Sequence, residues 1–128
     1  MIYTTTTSTP IETIKAELEE KANEIGFSLL KSYDFKQMLS DKGFPIEKEI
    51  TLYELCNPAG AQQSLSDLPA ISVYLPPRIS VYEENGVSTL ATIGFEDILC
   101  AVKVDEDFKT FMTILFLNIK KVMHSWDD

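Results

Sequence analysis

Apolar residues recur every three or four positions in two stretches near the ends of the chain, which is the spacing of a helix that buries one side. The first repeat is formed by Ile11, Ile14, Leu18, Ala22 and Ile25. The second is longer and is formed by Phe108, Phe111, Met112, Leu115, Phe116, Ile119, Val122, Met123 and Trp126. We therefore predict a helix over residues 10–25, begun by a proline, and a long last helix over residues 105–126, capped by an aspartate.

Shorter apolar-rich runs lie between these helices and predict strands. We place them at residues 27–33, 49–56 and 70–75. Pro76 and Pro77 must end the third run, because proline cannot donate to a strand ladder. The threonine-rich residues that precede the first helix predict only an extended lead-in, residues 1–9 of the chain.

Two short helices are predicted directly after the first two strands, each behind a residue that can cap it. Asp34 precedes the first of them, and Asn57 with Pro58 precedes the second. A short polar side chain followed by proline is a typical helix start, because proline has no N–H to leave unpaired there. Apolar spacing predicts a further short helix over residues 95–102.

The strongest local signal is a hairpin centred on Asn85 and Gly86, a pair typical of a two-residue type I′ turn. A two-residue loop fixes which residues face each other across the hairpin. Val81 is expected opposite Leu90 on an apolar face, and Tyr82 opposite Thr89 on the other face.

The order of these elements predicts one domain over residues 1–128, of the α+β class. We expect two layers, with a sheet of roughly five mostly antiparallel strands covered by helices on one face. The early strands are linked through helices, so a parallel pair among them stays open at this point.

Charge and composition narrow the classes of partner. The 128 residues carry 20 acidic and 11 basic side chains, a net charge of −9, which disfavours nucleic acid and anionic membrane as partners. The start of the chain lacks the basic and apolar segments of a secretory signal, and no apolar run is long enough to span a bilayer. Two distant cysteines form no disulfide framework, so we expect a cytoplasmic protein with reduced thiols.

The junction "YELCNPAG" places Cys56 at the end of a strand and just before a capped helix. Helix amides there would stabilise a thiolate, which makes Cys56 a candidate nucleophile and Glu54, two residues earlier, a candidate proton carrier. The sole histidine, His124, is expected at the surface of the last helix. The alternative interpretation is that Cys56 is a small buried apolar residue and that Asn57 is only a cap.

Arg78 is the second candidate. It opens a strand whose neighbours on the same face, Ser80 and Ala91, are small, so its guanidinium could hold an anionic or carboxylate ligand with Tyr82 alongside. The alternative is an exposed arginine on a solvent-facing sheet. The sequence has no phosphate-binding glycine loop and no metal-ligand spacing, so we expect no cofactor and no metal.

Three segments together carry a family resemblance: "YDFKQMLSDKGFPI", "LYELCNPAGAQQSL" and "ISVYLPPRISVYEENG". In this order they resemble the family called domain of unknown function 302 (DUF 302), over residues 33–99. The positions that match its pattern are Glu54, Cys56, Asn57, Pro58, Pro76, Arg78, Tyr82 and Glu83.

The resemblance implies a compact α+β domain with the curved sheet of TATA-binding-protein-like folds, and a tendency to form homodimers. It implies no activity. The family pattern often has a cysteine after Leu-Pro, where this chain has Pro77, so a chemistry that needs two thiols is in doubt here. The helix over residues 10–25 is an addition to the usual pattern.

Three functions follow as hypotheses. The first is a binding module, expected as a homodimer, which holds a small ligand or a protein near Cys56, Asn57, Arg78 and Tyr82. The second is an enzyme that uses Cys56 as nucleophile. The third is a structural or regulatory domain whose acidic surface meets a basic protein.

Overall fold

The computed structural model describes residues 1–94 and 106–128 of the chain. Strands and helices alternate along most of this length. In chain order they are β1 (Ile2–Thr7), α1 (Ile11–Glu24), β2 (Ser28–Asp34), α2 (Phe35–Asp41), β3 (Ile50–Cys56), α3 (Pro58–Asp67), a 3-10 helix (Pro69–Tyr74), β4 (Arg78–Glu84), β5 (Val87–Ile93), α4 (Glu106–Met123) and a final 3-10 turn (His124–Trp126).

The strands form one five-stranded sheet in the order β1-β5-β4-β3-β2, and every neighbouring pair is antiparallel. This confirms the predicted α+β class with a mostly antiparallel sheet. The predicted hairpin register is also confirmed, since Val81 pairs with Leu90 and Tyr82 with Thr89. Asn85 and Gly86 both have positive φ, 55° and 80°, as a type I′ turn requires.

Helices α1 and α4 cover one face of the sheet and enclose the core, and we call this the covered face. The largest side chains that are wholly or almost wholly buried there are Phe27, Phe116, Ile14, Leu18, Leu55, Ile71, Ile79, Leu90, Met112, Ile119 and Met123. Burial of each such side chain contributes about 1.5–3 kcal/mol relative to exposure. The opposite face, which we call the open face, carries the alternate residues of the same strands.

The threonine-rich lead-in forms the edge strand β1, which pairs with β5 from Ile2 to Thr7. The end of the chain holds this strand in place. The Thr7 hydroxyl donates to the carbonyl of Trp126 over 2.5 Å, and the Ser8 amide and hydroxyl donate to the Asp128 carboxylate. The Trp126 indole donates in turn to Glu17 on α1, over 2.9 Å.

The strand predicted over residues 70–75 is wrong, because this segment is a 3-10 helix, Pro69–Tyr74. Pro69 has the fixed φ of a helical first turn, and Pro76 and Pro77 cannot supply the N–H groups that a ladder needs. The buried Ile71 anchors the segment to the core. The helix predicted over residues 95–102 and the predicted cap Asp105 lie outside the described residues.

Candidate functional site

The corner between β3 and α3 is built as its sequence predicts. The Asn57 side-chain oxygen accepts from the amide of Gly60 over 3.0 Å, and Pro58 occupies the first turn of α3. The equivalent cap at α2 is also formed, since Asp34 accepts from the amide of Gln37 over 3.1 Å. Both caps are confirmed, and each satisfies an N–H group that has no partner inside its helix.

Cys56 is a free, partly buried thiol beside this corner. It borders a hollow of about 20 Å³, lined otherwise by Asn57, Ala61, Leu75, Pro76, Pro77 and Leu115. That volume is about enough for a single water molecule. The walls are mainly apolar, as the interpretation of Cys56 as a small packed residue expects.

His124 has partners of its own. Its Nε2 lies 2.5 Å from the Tyr3 hydroxyl, and its Nδ1 lies 2.9 Å from both carboxylate oxygens of Asp127. The Lys120 amino group sits 4.3 Å from the centre of the Tyr3 ring. This polar chain ties β1 to the end of α4, so His124 acts here as a structural link between two elements.

A much larger cavity, of about 400 Å³, lies on the open face of the sheet. Its lining comes from four strands and from the 3-10 helix and comprises Ile2, Leu52, Val73, Tyr74, Pro76, Arg78, Ser80, Ala91, Thr92 and Ile93. Ser80 pairs with Ala91 on one side and with Leu52 on the other, so the small residues form a shallow floor. The 3-10 helix supplies one wall, through Val73 and Tyr74.

Arg78 is the charged residue of this lining, and it belongs to a group of polar side chains on the open face. Glu54 pairs with Arg78 across one strand boundary and with Lys31 across the other. The nearest contact between Arg78 Nη2 and Glu54 Oε2 is 3.9 Å. The Arg78 side chain is 55% exposed and that of Glu54 only 11%, so the carboxylate is largely buried beside the cavity lining while the guanidinium is more exposed.

Tyr33 completes this group. A hydrogen bond with the Glu54 carboxylate raises the pKa of the Tyr33 hydroxyl above its ordinary value of 10.0, and the positive charge of Arg78 acts in the opposite direction. The Lys31 amino group lies 4.7 Å from the centre of the Tyr33 ring. We refer to Lys31, Tyr33, Glu54 and Arg78 as the charged group.

Three of the four residues predicted for ligand binding are divided between the two hollows, and Tyr82 lines neither. Arg78 lines the large cavity, Cys56 and Asn57 line the small one, and Pro76 separates them by lining both. Tyr82 lies further along β4, opposite Ile50 and Thr89.

Sequence reasoning missed several walls of the large cavity. Val73 and Tyr74 were expected in a strand, and Ile2 in a lead-in without partners. The signal that could have found the first two is the spacing of Pro69 and Pro76, which isolates a short segment unable to join a ladder.

Residues 1–94 and 106–128 contain neither a cluster of metal ligands nor a membrane-spanning helix. Within these ranges, no group of three or more His, Cys, Asp or Glu side chains is placed to hold a metal ion. None of the helices described there is both long and apolar enough to cross a membrane.

Comparison with known proteins gives a family and a shared fold. The model of the domain of unknown function DUF302 matches residues 3–125 of the chain. A crystal structure titled as an uncharacterized conserved protein DUF302 from Bacillus stearothermophilus is 22% identical, with a TM-score of 0.88. The match covers 98% of this chain and 97% of that chain, and at this identity it shows the fold alone. No curated protein matches the chain.

Proposed function

Because the chain belongs to the DUF302 family, whose function is unknown, we propose from the geometry that it is a binding domain for a small apolar molecule with one acidic group. The ligand would occupy the cavity of about 400 Å³ on the open face, with its acidic group at Arg78. The observation that carries this proposal is a cavity with largely apolar walls and a guanidinium in its lining.

The size and chemistry of the cavity support a small organic ligand. Pockets for such ligands typically measure about 300–1,000 Å³ and combine apolar walls with a few polar groups that fix orientation. Leu52, Val73 and Ile93 would contact the apolar body of the ligand. The Ser80 hydroxyl offers a second polar contact on the same strand face as Arg78.

The Arg78 guanidinium has N–H groups available to bind the acidic group of a ligand. A guanidinium carries five N–H groups in a planar fork that matches a carboxylate. Its contact with Glu54, at 3.9 Å, is longer than a normal hydrogen bond. A ligand carboxylate can therefore bind Arg78 while Glu54 keeps its position beside it.

The surroundings of Cys56 at the junction of β3 and α3 favour a non-catalytic binding domain over an enzyme that uses this thiol. The hollow at Cys56 has about 20 Å³, too little for a substrate, and His124 is paired with Tyr3 and Asp127. The rate of Cys56 alkylation against pH measures this directly. A rate that rises only near the ordinary thiol pKa supports packing, and fast alkylation at neutral pH would favour the enzyme hypothesis.

The test of binding uses ortho-toluate, a small aromatic acid, and its uncharged amide. We expect titration calorimetry to detect the acid and to give at least tenfold weaker binding of the amide. Arg78→Gln should weaken the acid about tenfold or more, since it removes the charge that holds the carboxylate. Lys48→Gln is the matched control, because Lys48 is an exposed cation paired with Glu84 near the hairpin turn.

Equal binding of the acid to the native chain and to Arg78→Gln would contradict the proposed site. No binding of either compound to the native chain would contradict the proposed ligand class. Val73→Asp provides an independent check, since it places a like charge in the apolar wall and should also weaken the acid.

We also propose that the domain forms a homodimer through α4. Ile114 and Leu117 are 54% and 48% exposed and lie one turn apart on this helix. Such a stripe can pack against its own copy across a two-fold axis. Sedimentation at high concentration should show a dimer that Leu117→Glu weakens, and a strict monomer would contradict this part of the proposal.

A further inference from the structure

We infer that Glu54 sets the charge of the ligand, so that the cavity accepts acids with one negative charge and rejects those with two. This inference rests on the proposed function and deepens it. Its basis is a nearly buried carboxylate that lies between two cations in the sheet register, with an oxygen 3.9 Å from the guanidinium that would bind the acid.

The formal charges of the charged group sum to one positive charge. Lys31 and Arg78 contribute two positive charges and Glu54 one negative charge, which leaves one positive charge to be neutralised. An acid with one negative charge completes the balance. A second negative charge on the ligand would be repelled by the Glu54 carboxylate and would have no further cation to neutralise it.

Glu54 cannot move far from such a ligand. Its side chain is 11% exposed, and Tyr33 interacts with its carboxylate on the side of β2. Two like charges roughly 5 Å apart at a partly exposed site repel strongly enough to change an affinity about tenfold or more.

The other strands of this face supply no compensating cation. The open-face positions of β1 are Ile2, Thr4 and Thr6, and those of β5 include Ala91 and Ile93. None of these side chains carries a charge. The preference therefore depends on Glu54 and on the two cations that flank it.

The experiment compares ortho-toluate with phthalate, which replaces the methyl group by a second carboxylate at nearly the same size. At neutral pH we expect the native chain to bind ortho-toluate at least tenfold more tightly than phthalate. Glu54→Gln should reduce this ratio to about threefold or less, because the amide keeps the shape and removes the charge.

Two variants separate charge from folding. Glu54→Asp keeps the negative charge and should preserve the preference, whereas Glu19→Gln makes the same charge change on an exposed site of α1 and should leave the ratio unchanged. Circular dichroism confirms that each variant is folded. If Glu54→Gln fails to fold, equal affinity of the native chain for the two acids still overturns the inference.

The possible results are distinguishable. Equal affinity of the native chain for the two acids, or an unchanged ratio in Glu54→Gln, overturns the inference and leaves the proposed function standing. Failure of the native chain to bind either acid overturns the proposed function and this inference with it.

Discussion

The two faces of the sheet are built from alternate residues of the same strands, and their side chains have opposite surroundings. On the covered face, Ile79, Val81 and Leu90 are wholly buried beneath helices. On the open face, Arg78 is exposed and Ser80 only half-buried, although each lies one position from a core residue. Neighbouring residues of β4 therefore belong either to the packed core or to the candidate binding surface.

This difference explains where a site can be placed in so small a domain. Residues on the covered face must fill space at the density of a packed interior, which restricts the size and polarity of their side chains. On the open face Arg78 is exposed and Ser80 and Ala91 are half-buried, so this face can combine a cation, a carboxylate and small side chains. The 3-10 helix Pro69–Tyr74 closes one side of this face without covering it.

The largest expected effect contrasts the two faces directly. Leu90→Ala should lower the free energy of unfolding by about 2–5 kcal/mol, because it opens a cavity in the core. Ala91→Ser, one position along and on the open face, should change it by less than about 0.5 kcal/mol. Urea unfolding of both variants measures the contrast, and similar losses would show that the open face is packed as tightly as the core.

The corner at Asn57 belongs to neither face, and its effect should be smaller. Asn57→Ala should lower the free energy of unfolding by about 1 kcal/mol, since the amide of Gly60 loses its partner. Asn57→Asp keeps an acceptor and should retain most of the stability. A loss of ligand binding in Asn57→Asp at unchanged stability would instead assign the corner a role beyond capping.

The charged group can be tested through the ionisation of Tyr33. Because Glu54 raises the pKa of Tyr33 above 10.0, Glu54→Gln should lower it toward that value. A folded pKa above the unfolded one stabilises the fold below about pH 10, and this contribution is lost as pH rises through the folded pKa. Near-UV titration measures the shift, with Tyr33→Phe to assign the signal. An unshifted Tyr33 would contradict the contact.

The smallest effect is expected at the edge of the sheet. Hydrogen bonds from the Ser8 hydroxyl and amide lower the pKa of the exposed Asp128 carboxyl below its ordinary value of 3.8. The stability that this contact contributes is present above pH 3.8 and is lost as pH falls through the lower, folded pKa. Comparing the pH dependence of unfolding in the native chain and in Asp128→Asn should show a slight difference confined to acid pH. If the two proteins still differed in the pH dependence of their unfolding free energy at neutral pH and above, this assignment would be contradicted.

Elements with strong local signals could be predicted from the sequence. Asn85 and Gly86 fix their turn through backbone preferences alone, and Asn57 and Asp34 each cap the helix that follows by accepting from the amide three residues further on. The apolar period of α4 likewise depends on its own residues. Each of these features is decided by neighbours along the chain, which a single sequence contains.

Features that depend on distant neighbours could not be predicted in the same way. The segment over residues 70–75 has the apolar content of a strand, and only the absence of a usable ladder makes it a 3-10 helix. Glu54 has Lys31 and Arg78 as its neighbours across the sheet, and these two residues lie on two other strands. That Arg78 and Cys56 border separate hollows follows from the position of Pro76, which no local pattern specifies.

The contacts of β1 have a consequence for how the chain folds as it is synthesised. This first strand pairs with β5, and its end is held by Trp126 and Asp128. Residues 2–8 therefore cannot complete these contacts until β5 and residues 126–128 have been synthesised. Contacts between such distant parts of a chain slow folding, so we expect the completion of this edge to be a late event.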